Sequence, residues 1–171
     1  MNKQSVKRAW FSAVLALLLS APTNAAEPVR VVSLNVCADQ LLLELAQPEQ
    51  IVALTHLSTD SDASYHYQRA IGYAQTRRTA EEVLALEPTL VIASSYAQEH
   101  TIALLRQQHL HVEKMPIAQT LDELYANIVQ VGIWLDKKEL GEQMVADLKA
   151  RLQRLPAHQQ PKPLAAIFDA N

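Results

Sequence analysis

The feature that most constrains the fold is a short buried strand, residues 31–34, that runs directly into a helix. Its apolar and mostly β-branched side chains are typical of a strand covered on both faces. Asn35 is an N-cap candidate, and leucines then recur at helical spacing until Pro48. Because residues 51–54 form another apolar run, the order strand–helix–strand predicts a parallel sheet with a right-handed crossover. Ligands of such sheets bind beyond the carboxyl ends of the strands, so the loop at Asn35 is a candidate site.

The same order recurs further along the chain. Thr79 is an N-cap candidate, and Glu82 stands at the capping-box position three residues later. Pro88 ends that helix, and residues 90–93 predict another buried strand. A helix near 102–109 and a more polar strand, which we place near an edge of the sheet, follow. These elements together predict a Rossmann-like α/β lobe with helices on both faces of a parallel sheet.

Two helices are predicted after this sheet. The first begins at Thr120, with Glu123 in the capping-box position. The second runs over 137–155 and would be roughly 28 Å long at ~1.5 Å per residue. We expect their apolar residues to form the buried stripes. These are Leu121, Leu124, Ile128, Val131 and Leu135 in the first helix, and Leu140, Met144, Leu148, Leu152 and Leu155 in the second.

The first 25 residues read as an export signal. A basic start is followed by an apolar run over 9–19, which is too short to span a bilayer comfortably, and then by small residues up to Ala26. Removing this segment would leave 12 basic and 18 acidic residues. A mildly acidic surface argues against a nucleic-acid partner, and we expect no direct membrane insertion after cleavage. We therefore predict a periplasmic protein.

The end of the sequence predicts a strand that has no partner within the chain. Prolines follow the long helix, and residues 164–168 form a new apolar run close to the last residue. We therefore expect a signal peptide over 1–25, an N-terminal lobe over 26–136, an interlobe helix over 137–155, and a linker with the first strand of a truncated second lobe over 156–171.

Enzyme signatures are missing from the sequence. A nucleotide-binding sheet would carry G-x-G-x-x-G after the first strand, and an α/β-hydrolase would carry G-x-S-x-G. Only three glycines exist, and none stands near Asn35. We therefore expect a binding protein rather than an enzyme, with no resident cofactor.

The segment over 79–93, TAEEVLALEPTLVIA, carries a family resemblance. Together with the first strand and the long helix, it resembles the periplasmic binding proteins for cobalamin and iron-siderophores, which commonly carry Asn-Leu-Glu-x-Ile-x-Ala-Leu-x-Pro-Asp-Leu-Val here. The resemblance implies two α/β lobes joined by a rigid helix, with the ligand held between them. This sequence departs from the pattern because the second lobe is missing.

The resemblance also implies a function and partners. The protein would capture cobalamin or a ferric siderophore or haem-like chelate and deliver it to the inner-membrane permease of an ABC transporter. Two alternatives stay open: a zinc- or manganese-binding protein of the same architecture, and a truncated lobe without function.

Several polar or aromatic residues lie at the expected strand ends or in the loops beside them. They are assigned to the ligand cleft as Asn35, His56, Tyr73, Ser94, Ser95 and Tyr96. Tyrosine offers an apolar face and a polar tip to a macrocycle or siderophore. Arg77 and Arg78 either meet an anionic ligand or are ordinary surface charges.

Glu81 stands in the first turn of its helix, where the helix dipole favours a carboxylate. The resemblance implies that it forms an exposed salt bridge to arginines of the permease. Glu82 is expected to act only as the cap partner of Thr79.

Two other groups of residues receive no functional assignment. His56, Asp60, Asp62 and His66 are metal-ligand types close together, but a solvated loop is the commoner explanation. Cys37 is expected to be a buried or half-buried structural thiol.

Overall fold

A computed structural model of the chain describes residues 28–155. Five strands form one sheet in the order β3-β2-β1-β4-β5, and every neighbouring pair is parallel. The strands are β1 (Val31–Ser33), β2 (Ile51–Thr55), β3 (Ala74–Thr76), β4 (Leu90–Ser94) and β5 (Val112–Met115). The predicted parallel α/β sheet is therefore confirmed, and β5 occupies an edge as its more polar sequence indicated.

Within residues 28–155, six α-helices connect or follow these strands. They are α1 (Val36–Leu45), α2 (Tyr67–Ala70), α3 (Ala80–Ala85), α4 (Glu99–Gln107), α5 (Leu121–Trp134) and α6 (Lys138–Gln153). Two 3-10 helices, Pro48–Gln50 and His56–Thr59, flank β2. The predicted caps hold at α3 and α5, where the hydroxyls of Thr79 and Thr120 each accept a backbone N–H from the third helical residue.

The sheet has a hydrophobic layer on each face. Val31 belongs to the layer that contains α1 and the buried residues of α5 and α6, whereas Val32 belongs to the layer that contains α3 and α4. Adjacent residues of β1 thus point to opposite faces, as the period of a strand requires. Both residues are fully buried, which explains why this strand reads as a continuous apolar run.

The predicted stripes of α5 and α6 are confirmed in their middle parts, where Ile128, Val131 and Leu135 are buried and Met144 and Leu148 are half-buried, but not at their ends. Leu121 and Leu124 are exposed, and the buried residues of α5 are Asn127, Ile128, Val131 and Gly132. On α6 the leucines at both ends of the stripe are exposed, at 44% for Leu140 and 65% for Leu155, while Gly141 and Val145 are buried. Small side chains let the two helices approach closely, and this approach decides which face of each helix is covered.

The approach is tightest at Gly132 and Gly141. A Cβ built on Gly132 would lie 2.9 Å from the backbone oxygen of Lys137 and 3.4 Å from the Cα of Gly141. A Cβ on Gly141 would lie 3.1 Å from the backbone oxygen of Ile128. These distances leave no room for a side chain without a backbone shift. Glycine at both positions is therefore a packing requirement of the helix pair.

Parts of the sequence-based domain assignment lie outside the described residues. These are the signal peptide over 1–25 and the strand expected over 164–168. Within 28–155, no helix combines the length and apolar character needed to cross a membrane.

Candidate functional site

The strand order creates a crevice between β1 and β4 at the carboxyl edge of the sheet. The chain leaves β1 toward β2 through α1 on one face, and leaves β4 toward β5 through α4 on the other face. Ligands of open parallel sheets bind at such a switch point. A cavity of about 530 Å3 opens there. Its walls are Leu34, Arg77, Arg78, Thr79, Ala80, Glu81, Ser94, Tyr96, Ala97, Gln98, His100, Thr101 and Leu104.

Three of the predicted site residues line this cavity: Glu81, Ser94 and Tyr96. The hydroxyl of Ser94, at the end of β4, accepts the backbone N–H of Tyr96 at 3.1 Å and tightens the turn that follows the strand. Tyr96 is 79% exposed, so its ring is free to contact a bound molecule. The carboxyl end of β4 therefore supplies both an ordered turn and an aromatic surface.

Three predicted residues lie at the carboxyl edge without lining the cavity. Asn35 is buried as the N-cap of α1, and its side-chain oxygen accepts the Cys37 N–H at 2.9 Å. Ser95 is exposed and donates its backbone N–H to Met115. His56 is exposed at the end of β2, on the side of β1 away from β4.

Tyr73 lies at the opposite end of the sheet. It precedes β3, whose carboxyl end is Thr76, and packs half-buried against the hydrophobic layer that contains α1. The structure therefore does not bring Tyr73 to the cavity. Sequence reasoning placed it near a strand end but did not determine which end.

The loop that follows β3 has an ordered main chain, and we call residues 76–79 the arginine loop. The hydroxyl of Thr76 accepts the Arg78 N–H at 2.8 Å and donates to the carboxylate of Glu82 at 2.9 Å. That carboxylate also accepts the Arg77 N–H at 2.8 Å. Three hydrogen bonds therefore hold the backbone of both arginines while leaving their guanidinium groups out of the network.

Glu82 thus differs from its predicted role. Its N–H is capped by Thr79 at 3.3 Å, but its carboxylate turns to Thr76 and Arg77, so the predicted capping box is only half formed. The Thr76 hydroxyl, followed by the Arg77 N–H, holds the pKa of Glu82 below its usual value. Glu82 consequently orders the arginine loop from the first turn of α3.

A buried carboxyl group lies beneath the crevice. Asp39 is fully buried in α1, and its oxygens accept the hydroxyl of Thr55 at 2.5 Å and the Thr55 backbone N–H at 3.3 Å. Burial raises the pKa of Asp39 to about 6, and hydrogen bonds from Ser33 and Thr55 and the charge of Arg78 counter that shift in part. Asp39 therefore joins α1 to the ends of β1 and β2.

The loop with metal-ligand residue types is organised by other interactions. His66 Nε2 lies 2.9 Å from a carboxylate oxygen of Glu44, and Asp60 accepts the backbone N–H of Asp62. Over residues 28–155, no three His, Cys, Asp or Glu side chains are grouped so that they would hold a metal ion. Cys37 is exposed in the first turn of α1, which corrects the expectation of a buried or half-buried thiol.

The start of α4 contributes residues that line the cavity and that the sequence analysis did not assign to it. Gln98, His100 and Thr101 line the cavity, although the sequence assigned no role to His100. A usable signal was present, because the helix that follows a parallel strand begins at the carboxyl edge of the sheet. Residues in its first turns therefore border the crevice.

The sequence also matches a known family. The family model described as periplasmic binding protein matches residues 31–167. The chain belongs to the periplasmic binding protein family. It is 26% identical over 113 residues to a cobalamin-binding protein of Halobacterium salinarum, a match that covers 66% of this chain and 31% of that protein.

Solved periplasmic binding proteins share the fold. A periplasmic haem-binding protein from Pseudomonas aeruginosa is 24% identical, with a TM-score of 0.61 over 74% of this chain and 45% of that one. The periplasmic vitamin B12-binding protein of Vibrio cholerae is 24% identical, with a TM-score of 0.59 over 72% of this chain and 48% of that one. The chain thus spans about a third of the curated relative and about half of these solved chains, and the solved structures establish the fold.

Proposed function

We propose that this protein is the substrate-binding component of an ABC uptake transporter. It captures cobalamin or a ferric siderophore or haem-like chelate in the periplasm and delivers it to an inner-membrane permease, without catalysing a reaction. Support comes from membership of the periplasmic binding protein family and from relatives named for binding cobalamin, vitamin B12 and haem.

The observation that carries the proposal is the cavity at the switch point between β1 and β4. It is lined by residues that follow β1, β3 and β4 in the chain, including residues of α3 and α4. This surface presents an aromatic ring and several polar groups to one side of a large ligand. The other side of the ligand is not covered by this lobe. Relatives are named for binding cobalamin and haem, and we assign this surface to the binding of a chelate of that kind.

Glu81 is the proposed contact with the permease. It is exposed in the first turn of α3 and takes part in none of the ion pairs formed within residues 28–155. A carboxylate at this end of a helix is favoured by the dipole and stays available to an external cation. An arginine of the permease is the partner that such an exposed carboxylate would accept.

Ligand binding tests the proposal. The protein, produced at the full length that its gene encodes, is titrated with cyanocobalamin, haemin and a ferric hydroxamate siderophore while its tryptophan fluorescence and ligand absorption are followed. We expect saturable binding of at least one probe at a single site, with a raised melting temperature in its presence.

Zinc and manganese salts are included as separate titrants. Tight binding of either ion, without binding of any chelate, would instead support the metal-binding alternative. Absence of binding to every chelate would contradict the proposed function.

A further inference from the structure

An apolar patch at one end of the α5–α6 helix pair is open to solvent, and we call it the end patch. One member precedes α5, two lie in the first turns of α5, and two lie at or just after the last turn of α6. Its members are Ile117, Leu121, Leu124, Leu152 and Leu155, with exposed fractions from 37% for Leu124 to 65% for Leu155. Other residues line the cavity between β1 and β4, so ligand binding there does not account for the end patch.

The antiparallel packing of the two helices brings these residues together. Near one end of the pair, a Cβ built on Gly132 would lie 3.4 Å from the Cα of Gly141. Further along, the Nζ atom of Lys149 lies 4.7 Å from the centroid of the Tyr125 ring. Going from the first contact to the second means moving back along α5 and forward along α6 by nearly equal numbers of residues. Continuing in the same way places the start of α5 beside the end of α6.

The end patch continues the buried stripes of both helices. On α5, Leu121 and Leu124 stand at helical spacing from Ile128, which is buried. On α6, Leu152 stands at helical spacing from Leu148, which packs half-buried against the hydrophobic layer that contains α1. Side chains with the spacing of a core stripe therefore extend beyond the part of each helix that the lobe covers. A stripe of this kind is expected where a further segment completes the core.

Single exposed apolar side chains need no such explanation, because they are normal on soluble proteins. Ile71, which follows α2, and Ile133, which lies outside the stripe of α5, are of this ordinary kind. The end patch differs from them because its residues adjoin one another across two helices and extend two core stripes. Neighbouring exposed apolar residues of this kind mark an interaction surface.

We propose that residues 156–171 of the same chain cover the end patch. The chain leaves α6 at this patch, because Leu155 is both a member of it and the residue at which the described part of the chain ends. Residues 164–168, Leu-Ala-Ala-Ile-Phe, are apolar and favour burial. Residues 156–163 can span at most about 28 Å, so they hold this apolar run close to the end patch at a high effective concentration.

A second copy of the chain fits the end patch less well. Its side chains are each about half exposed, and together they offer less than the roughly 800 Å2 that a stable interface buries on each partner. A contact within one chain also avoids the loss of translational and rotational freedom on association. Once covered, the end patch sets by side-chain packing the direction in which the chain continues past α6. This role is independent of the ligand that the cavity binds.

Thiol labelling tests whether the end patch is covered. The protein, at the full length that its gene encodes, is prepared as Leu121→Cys and Leu152→Cys, with Ile71→Cys and Ile133→Cys as controls. Each is treated with N-ethylmaleimide, and modification at the introduced thiol is followed by mass spectrometry of its peptide. The controls replace isoleucines that are 69% and 46% exposed, compared with 54% at Leu121 and 39% at Leu152. Differences in labelling rate therefore report cover by another segment.

We expect both end-patch thiols to react at least about tenfold more slowly than both controls, because a covered group reacts only when its contact opens. The melting temperature of each variant identifies any that is unfolded. Labelling of the folded end-patch variants at the rate of the controls would overturn the proposal.

Photo-crosslinking identifies the segment that provides the cover. Leu124 is replaced by p-benzoylphenylalanine in the full-length protein, with the same replacement at Ile133 as control, and the crosslinked peptides are sequenced by mass spectrometry. We expect the probe at Leu124 to join a peptide from residues 156–171 of the same chain, and the control to leave that segment unmodified. Crosslinks between two chains, crosslinks only to another part of the chain, or equal crosslinking from both positions would overturn the proposal and leave the proposed function standing.

Discussion

The carboxylate of Asp39 in α1 accepts the hydroxyl of Thr55, at the end of β2, over 2.5 Å. Both residues are buried, so this bond joins a helix to a strand beneath the crevice without contact with water. The Ser33 hydroxyl also lowers the pKa of Asp39, which places the end of β1 in the same cluster. A buried carboxyl group at this position makes the stability of the lobe dependent on pH.

Asp39→Asn should remove that dependence. Because burial raises the pKa of Asp39 in the folded state to about 6, from an ordinary value of 3.8, the folded state binds the proton more tightly than the unfolded state. The contribution of Asp39 to the free energy of unfolding is therefore greatest below pH 4 and falls as the pH rises through 6, by roughly 3 kcal/mol in total. Urea unfolding is measured from pH 3.5 to 7.5. The free energy of unfolding of wild type, relative to that of Asp39→Asn, should fall over this interval.

Asp62→Asn provides the matched control for this measurement. Asp62 is exposed, so the same chemical change there removes no buried carboxyl group and reports the effect of the substitution itself. If the free energies of unfolding of wild type and Asp39→Asn differ by the same amount at every pH, the buried carboxyl group does not titrate with folding.

Glu81→Arg should sharply reduce uptake by cells. The exposed carboxylate would be replaced by a cation that repels the arginines that our proposal places on the permease. The fold is preserved because an exposed substitution usually changes stability by within ~0.5 kcal/mol. Since Glu81 also lines the cavity, ligand affinity is measured on the same purified protein. Loss of uptake without loss of ligand affinity identifies a docking defect.

Glu82→Gln separates docking from folding. Its carboxylate holds the arginine loop through Thr76 and Arg77, so the substitution should lower the melting temperature. Uptake should be retained at temperatures where the protein stays folded. Normal uptake by Glu81→Arg, or an equal loss from both variants that follows unfolding, would show that Glu81 is not the docking residue.

Gly132→Ala and Gly141→Ala should each destabilise the protein. In an open helix this change would stabilise by about 1 kcal/mol, because alanine has the better helix propensity. Here the added Cβ would meet the backbone at 2.9 Å or 3.1 Å, and overpacking of this kind costs typically 1–3 kcal/mol. Chemical denaturation should therefore show a net loss, whereas Gln130→Ala, on the exposed side of α5, should change stability little. A gain in stability at either glycine would contradict the close helix contact.

Arg78→Gly should retain or raise the melting temperature. Glycine adopts a φ of 72° without a Cβ penalty, and relief of strain offsets the greater backbone freedom of the unfolded chain. Removal of the nearby positive charge should also raise the pKa of Asp39 further, which extends the pH-dependent interval of stability upward. Thermal denaturation at pH 5 and pH 7 checks both effects. A marked loss of melting temperature at both pH values would show that the arginine side chain supports the fold.

Local signals in the sequence determined much of this lobe. Each of these signals acts over a few residues. They are the apolar runs at β1, β2 and β4, the prolines that follow the preceding helices, and the caps at Thr79 and Thr120. Their order specifies a parallel sheet because short strands joined through helices have few alternative arrangements. The sheet class, its carboxyl-edge crevice and the cavity residues Ser94 and Tyr96 could therefore be predicted.

Contacts between distant segments were decided only by the tertiary structure. The close approach of Gly132 and Gly141 selects the buried face of α6 over the ends of its leucine stripe, and Tyr73 lies at the end of β3 remote from the cavity. The convergence of the arginine loop with α4 likewise depends on how β3 and β4 are placed in the sheet. Periodicity records which side chains are apolar, but the partner of each face depends on close packing between elements that the local sequence does not encode.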